Sequence, residues 1–401
     1  MDIETAGDSP AGRYVLNRLT DLRHGRSVQY RAFVPDPLPP KLEFDAELVG
    51  VLSAADRALG RLDGVARSGP AVELLTRLFI SREAEQSSRI EGTQADIQDL
   101  FAYQAGGLAD RDDDNDDRPG SDVKEIANYV RALEYGLQQA VERPVGLSLL
   151  RELHGILLTG VRGQDKRPGE FRQEQNWIGS STSIVTEARF VPPPPLELGE
   201  VLGRLEEYIQ LDEGYPPLVR IALLHYQLET IHPFRDGNGR VGRLLISLLL
   251  ARWELLHRPL LYLSAYFEAH RDEYNDRLLA VSVRGAWSEW LLFFLRGVAE
   301  QSTDALATAT RLNDLREEWR ARVTEIRGTA LALRLVDNLF EQPILTISDA
   351  QKTLKVSYNT AARYIQQLTS LGILRQISSG PYAKFYIAAD ILAIMRRMER
   401  M

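Results

Sequence analysis

Residues 218–256 hold two nearly continuous apolar segments, LVRIALLHYQLETI and RLLISLLLARWELL, separated by HPFRDGNGRVG. In the first, apolar side chains at 218, 221, 224, 228 and 231 follow the helical period, which predicts a helix from Leu218 to Thr230. The second predicts one from Gly239 to Leu256. Helices this apolar must be buried against other elements. A run so rich in Gly, Asp, Asn and Arg is ordinarily a solvated loop, yet here buried helices brace it on both sides. The fold must therefore be a helical core that carries one polar loop close to its centre.

The rest of the chain is consistent with a mainly α protein. Residues 1–40 read as an extended arm ending in PDPLPP. Apolar spacing predicts helices from Leu42 to about Ala66 and from Ala71 to about Ile90, the latter closed by Gly92 as a left-handed cap. GGLADRDDDNDDRPGSD reads as an acidic surface linker. Helical patterning returns from about Val123 to Leu158 and breaks at RPGEFRQEQNWIGSSTSIVTEARFVPPPP, which predicts a short hairpin. Helices follow over 196–212 and about 273–294. Near the C-terminus, Leu331–Phe340, Ile347–Leu354 and Tyr358–Ser370 read as three short helices, and GILRQISSGPYAKFYIA as a two-stranded wing. The expected organisation is a helical N-terminal region to residue 110, a linker over 111–122, a core over 123–300, a connecting helix over 301–330 and a winged helix-turn-helix over 331–401.

The chain has 401 residues, a net charge of -8 and no cysteine. That composition excludes disulfides and thiolate metal sites and argues against a nonspecific nucleic-acid coat. The apolar runs LLISLLLA and WLLFFL are far shorter than the roughly 20 residues of a membrane span. The polar N-terminus has no signal-peptide character, so the expectation is a cytoplasmic protein with no membrane partner. From Leu331 onward nine Lys and Arg face five Asp and Glu. That local excess makes DNA a candidate partner of the winged helix, although only Arg363 is cationic on its presumed recognition helix and protein docking fits as well.

GNGRVG matches a dinucleotide-binding fingerprint, but that pattern has meaning only after a strand, and here a helix precedes it. Its physics survives in a helical setting. A Gly-rich turn entering a helix presents N–H groups and positive dipole to an anion. Arg240 and Arg243 share the first turn, so a polyphosphate is the natural ligand. Asp236 beside such an anion calls for a bridging hard cation, Mg²⁺. His232, just before the loop, is placed to take a proton from a hydroxyl attacking a nucleotide phosphate. A purely structural histidine and a zinc site built from His225, Glu229 and His232 are the competing readings.

HPFRDGNGRVGR resembles, at every specified position, the signature of Fic-domain proteins, His-Pro-Phe-x-Asp/Glu-Gly-Asn-Gly-Arg-x-x-Arg. LPPKLEFDAELVGVLSAADRALGRLDG is similar to the N-terminal region of that family, and NWIGS with FVPPPP to its flap. The resemblance implies a helical Fic core with a β-hairpin flap, and transfer of AMP from ATP to a Ser, Thr or Tyr hydroxyl of a target protein or of itself. It implies His232 as base and Asp236 as the Mg²⁺ ligand. Gly237, Asn238, Gly239 and Arg240 would hold the α- and β-phosphates, and Arg243 the γ-phosphate. SSRIEG resembles the family's inhibitory pattern through Ser87, Glu91 and Gly92. It implies that Glu91 competes for Arg243, and related enzymes use this Glu to remove AMP as well. A surface Glu at a helix end is the plainer alternative.

Ile178 and Gly179 would dock the target by main-chain pairing. Tyr274 and Asn275 stand where relatives have a Tyr pair near the base; Asn275 and Ser282 depart from that pattern. The expected partners are thus a hydroxyl-bearing target protein, DNA for the winged helix, and a second copy in a homodimer. A DNA-binding regulator with a nucleotide-sensing Fic domain is the rival function.

Overall fold

The computed structural model describes residues 9–21, 26–67, 70–106, 119–179, 184–211, 214–326, 328–377 and 384–396. Its elements in chain order are β1(Gly12–Asp21), β2(Arg26–Pro35), α1(Ala46–Arg67), α2(Pro70–Ile90), α3(Ile97–Gln104), α4(Pro119–Glu142), α5(Leu147–Leu157), α6(Pro195–Gln210), α7(Pro217–Ile231) and α8(Asn238–Arg252). Then come α9(Ser264–Ala269), α10(Arg271–Arg284), α11(Trp287–Glu325), α12(Ala330–Leu339), β3(Ile344–Thr346), α13(Ile347–Leu354), α14(Tyr358–Ser370), β4(Arg375–Ile377), β5(Phe385–Ile387) and α15(Ala389–Arg396). The protein is mainly α. Cα proximity divides it into two compact units, Met1–Arg57 with Arg131–Glu254 and Tyr266–Ala299, and Ala58–Val130 with Leu255–Ala265 and Glu300–Met401.

In the first unit α7 and α8 form the buried centre that the apolar runs demanded. Leu218 to Leu228, Thr230 and Ile231 are all buried, as are Val241 to Ile246 and Leu248 to Leu250. Pro217 starts α7, where its missing N–H costs nothing. Trp290 of α11 donates its indole N–H to the Ala222 carbonyl of α7 at 2.9 Å. The helix expected over 273–294 is instead two. Gly285, at φ +67, ends α10 by donating to Val281, and the chain restarts as α11 and runs on to Glu325. Likewise the pattern over 123–158 is two helices, α4 and α5, parted at the Pro144–Gly146 turn.

The arm expected over residues 1–40 is a β-hairpin over much of its length. β1 and β2 pair antiparallel from Gly12↔Pro35 to Asp21↔Arg26. The alternating Tyr30 and Ala32 of β2 are buried in a small core with Val185 and Val191. Phe33 lies between the rings of Tyr14 and Phe190. The flap thus rests on a two-stranded platform. Of the acidic linker, residues 107–118 lie outside the described residues, and α4 begins at Pro119.

In the second unit α2 ends as expected, Gly92 adopting φ +100. α3, which was not expected, is closed at its start by a capping box of Asp96 and Asp99. The C-terminal segment contains α12, α13 and α14 with a three-stranded antiparallel sheet in the order β3-β5-β4. The expected wing therefore gains a third strand from 344–346, while 378–383 lie outside the described residues. Among the described residues no helix is long and apolar enough to cross a membrane.

Candidate active site

α7 and α8 are joined by six residues, 232–237, whose backbone is held almost throughout. His232 ends α7 in the left-handed region, φ 49 and ψ 60, its N–H bonded to the Leu228 carbonyl at 3.0 Å. A β-carbon-bearing residue adopts this only where surroundings impose it. Phe234 is fully buried, and Asn238 clamps it on both sides. Asn238 Oδ1 accepts the Phe234 N–H at 2.8 Å, and its Nδ2 donates to the Phe234 carbonyl at 2.9 Å. Gly237, at φ +74, then opens α8, whose first internal bond is Val241 N–H to the Gly237 carbonyl. The N–H groups of Asn238, Gly239 and Arg240 precede any intrahelical acceptor, so they and the positive helix end face the loop mouth.

The partly buried His232 imidazole bonds through Nδ1 to the Glu229 carbonyl at 3.2 Å. A carbonyl can only accept, so Nδ1 carries the proton and Nε2 keeps its lone pair. In this tautomer Nε2 is the nitrogen able to accept a proton. Arg240 and Arg243, on the next turn, are 1% and 2% exposed, and Arg240 Nη2 lies 4.0 Å from Asp236 Oδ1. Guanidiniums so far from water bind a multiply charged anion strongly once it neutralises them. Asp236 accepts the Gly237 N–H at 2.6 Å and keeps its side chain 40% exposed. Among the described residues no group of three His, Cys, Asp or Glu forms a metal cage. One half-exposed carboxylate beside a phosphate seat suits Mg²⁺, which takes most of its oxygens from phosphate and water.

His225 is fully buried with both ring nitrogens engaged, Nδ1 on the Gly242 carbonyl at 3.1 Å and Nε2 on the Tyr274 hydroxyl at 2.9 Å. It is therefore no ligand of a metal shared with Glu229 and His232. Burial pushes the His225 pKa down to about 3, against the hydrogen bond to Gly242. Tyr274 is 3% exposed and its ring stacks on Phe267 at 4.6 Å, whereas Asn275 next to it is half-buried. Ser282 is buried against the Tyr226 hydroxyl at 2.9 Å.

In the flap, Ile178 and Phe190 exchange both main-chain bonds, at 2.8 and 3.1 Å. Ile178 thus spends its own N–H and C=O on Phe190, and Gly179 beside it is exposed. Residues 180–183 lie outside the described residues. Ser87, Glu91 and Gly92 belong to the second unit. Ser87 is buried within α2, and Glu91 and Gly92 are exposed in the turn that follows it.

A pattern for the Fic/DOC family matches residues 144–250, one for the Fic/DOC family N-terminal region matches 49–138, and one for the C-terminal domain of SoFic-like protein adenylyltransferases matches 315–391. The chain carries a Fic/DOC domain, with that family's N-terminal region before it and a SoFic-like C-terminal domain after it. It is 37% identical over 110 residues to a protein adenylyltransferase Fic of Culex quinquefasciatus, covering 27% of this chain and 20% of that one. To the protein of the same name from Drosophila willistoni it is 40% identical over 131 residues, covering 32% of this chain and 24% of that one. The chain therefore spans about a quarter or less of the length of these curated relatives. A crystal structure of a Fic family protein from Desulfovibrio desulfuricans superimposes with a TM-score of 0.55 at 18% identity, over 87% of this chain and 98% of that one. That likeness shows a shared fold.

Three residues that hold this Fic loop escaped the sequence reading. His154 stacks on Phe234 with ring centres 3.9 Å apart. Its Nδ1 accepts the Gly169 N–H at 2.8 Å, so its Nε2 carries the proton and donates to the Asp236 carbonyl at 3.0 Å. Burial lowers its pKa to about 4, with the Arg240 charge adding to that and the Asp236 hydrogen bond opposing it. Arg172 and Asn176 donate to the carbonyls of the 231–234 segment. They stand some 60 residues from the loop, and the only signal was a Pro- and Gly-broken stretch rich in amides.

Proposed function

We propose that this site transfers AMP from ATP to a Ser, Thr or Tyr hydroxyl of a target protein or of the chain itself, with Glu91 as a built-in inhibitor. The observation that carries the proposal is the His232 ring, whose Nδ1 is bonded to the Glu229 carbonyl so that Nε2 is the proton-accepting nitrogen, beside a helix N-terminus bearing two buried arginines. The triphosphate lies over the N–H groups of 238–240 with Arg240 at the α- and β-phosphates and Arg243 at the γ-phosphate. The target hydroxyl oxygen attacks the α-phosphorus as its proton passes to His232 Nε2. A phosphorus–oxygen bond forms, the bond to the β-phosphate bridge breaks, and pyrophosphate leaves. Asp236 would hold Mg²⁺, whose charge would stabilise that leaving group. Positioning and charge neutralisation supply most of the catalysis.

The names of the curated relatives support this reading, as does the complete motif at 232–243. Glu91 sits directly after α2, one turn beyond Ser87, which matches the inhibitory pattern. In our reading its carboxylate occupies Arg243 and misplaces the γ-phosphate; with water in place of a hydroxyl the same group would favour AMP removal. The flap edge at Gly179 docks the target by strand-like pairing, which tolerates sequence. The segment from Ala330 onward acts as a winged docking module. α14 exposes one cation, Arg363, which lies against the Tyr364 ring at 5.5 Å, and this suits a protein partner better than a phosphate backbone.

The test is incubation with α-labelled ATP of wild type, Glu91→Gly and Glu91→Gly/His232→Ala. Label should appear on protein with Glu91→Gly and vanish with the double variant. Absence of label with Glu91→Gly on itself and on lysate proteins would overturn the transferase reading. Salt-dependent retardation of duplex DNA by the full chain would instead favour the DNA-binding alternative.

A further inference from the structure

Arg172 is 3% exposed and makes no ion pair among the described residues. Every acceptor it reaches is a main-chain carbonyl. Nε donates to His232 at 2.9 Å, Nη1 to Glu174 at 3.2 Å, and Nη2 to Pro193 at 2.6 Å and Ile231 at 3.3 Å. Its own N–H donates to the Pro233 carbonyl at 2.9 Å. Burial pulls its pKa to about 10, with Tyr30 opposing, so the group stays charged at neutral pH. A buried cation surrounded by carbonyl dipoles is costly unless each is well aimed. These carbonyls belong to three segments far apart in sequence. Glu174 lies on the entry to the flap, Pro193 on its exit, and Ile231 to Pro233 on the catalytic turn.

Asn176 repeats the pattern on a smaller scale, with Nδ2 on the carbonyls of His232 at 3.2 Å and Phe234 at 2.9 Å. Gln175 joins the two legs of the flap, donating to Asn176 and Pro192, and is itself held by the Tyr30 hydroxyl of β2 at 3.1 Å. The His232 carbonyl thus accepts from two side chains of the flap base. These bonds act on the residue whose left-handed backbone has to be imposed from outside.

We propose that Arg172 is a positioning residue. Its planar fork locks the flap's two legs to the His232 backbone, so that a target strand docked on the flap edge delivers its hydroxyl to Nε2 in one fixed register. The proposal rests on the transferase reading of His232. Lysine in its place would keep the charge but lose the fork, since one ammonium cannot serve four carbonyls spread over three segments.

The experiment compares full-length wild type with Arg172→Lys, Arg172→Gly and His232→Ala, each in the Glu91→Gly background, by two independent readouts. Amide hydrogen exchange needs no activity. Arg172→Lys should speed exchange at 174–179 and 232–236 together by about tenfold or more, while the α7 and α8 interiors keep wild-type rates. AMP transfer should fall roughly 100-fold in kcat, as for a displaced reacting group, with ATP affinity within about twofold. Millimolar guanidinium should restore part of the rate in Arg172→Gly and none in His232→Ala. Unchanged exchange in either segment overturns the proposal. So does unchanged kcat, or a loss confined to ATP affinity, when His232→Ala is inactive. If His232→Ala transfers AMP as well as its parent, the transferase reading fails, and the exchange result alone decides whether Arg172 couples flap and loop.

Discussion

Two buried neutral histidines make the stability of the first unit depend on pH in a window where few other groups contribute. His154 and His225 are both fully buried and have pKa values of about 4 and about 3. In the unfolded chain each titrates near 6.5. As the pH falls below 6.5 the unfolded state takes up protons that the folded state refuses, so stability falls with pH. The loss is complete only at the folded values. At pH 5 each unfolded ring lies about 1.5 units below its pKa, which is about 2 kcal/mol per ring and about 4 kcal/mol for the pair. The Glu152 carboxyl, held at about 2 chiefly by Arg143, loses its contribution only below about 4.5 and so falls outside this window.

Denaturant unfolding at pH 7, 6 and 5, followed by tryptophan fluorescence, reads this unit, which holds Trp177, Trp253, Trp287 and Trp290 of the five tryptophans. Wild type should lose about 4 kcal/mol from pH 7 to 5. His154→Gln and His225→Asn should each start less stable but lose only about half as much. An unchanged loss in both variants, or a wild-type loss under about 1 kcal/mol, would refute the assignment of these rings as neutral and buried.

Four further outcomes follow from the site. Asn238→Ala removes both bonds to Phe234 and should cost about 1–3 kcal/mol in denaturant unfolding, with a larger relative loss of transfer. Glu91→Gly removes the carboxylate proposed to occupy Arg243, so transfer should rise on the order of tenfold or more. Gly179→Pro deletes the N–H proposed to pair with the target and should raise the target KM about fivefold, leaving ATP affinity unchanged. Chelation with EDTA should stop transfer and leave the melting temperature in place, because Asp236 offers a ligand and not a structural cage.

The central helices and the loop were legible because their signals are local. A 3.6-residue stripe and a Gly-rich turn leading into a helix can each be read within a few positions. The β1–β2 hairpin was not, since its strands mix Arg, Asn and Gln with apolar residues and find their inner face only against Val185 and Val191. The break at Gly285 was missed because SVRGAW continues an apolar pattern that only the backbone at φ +67 interrupts. Tyr274 illustrates the limit of transfer by position. Its hydroxyl is engaged by His225, an arrangement set by packing between α7 and α10. Arg172 and His154 act on carbonyls 60 and 82 residues away, and no spacing rule reports such pairs.

The central claim is that the 232–243 loop moves AMP with His232 as base. The most direct measurement is a paired assay of intact mass and pyrophosphate release on Glu91→Gly with ATP and Mg²⁺. The account predicts mass increments of one adenylyl group on protein with an equal amount of pyrophosphate, both lost in Glu91→Gly/His232→Ala. Release of inorganic phosphate or ADP without protein-bound AMP, or undiminished transfer in the double variant, would contradict it.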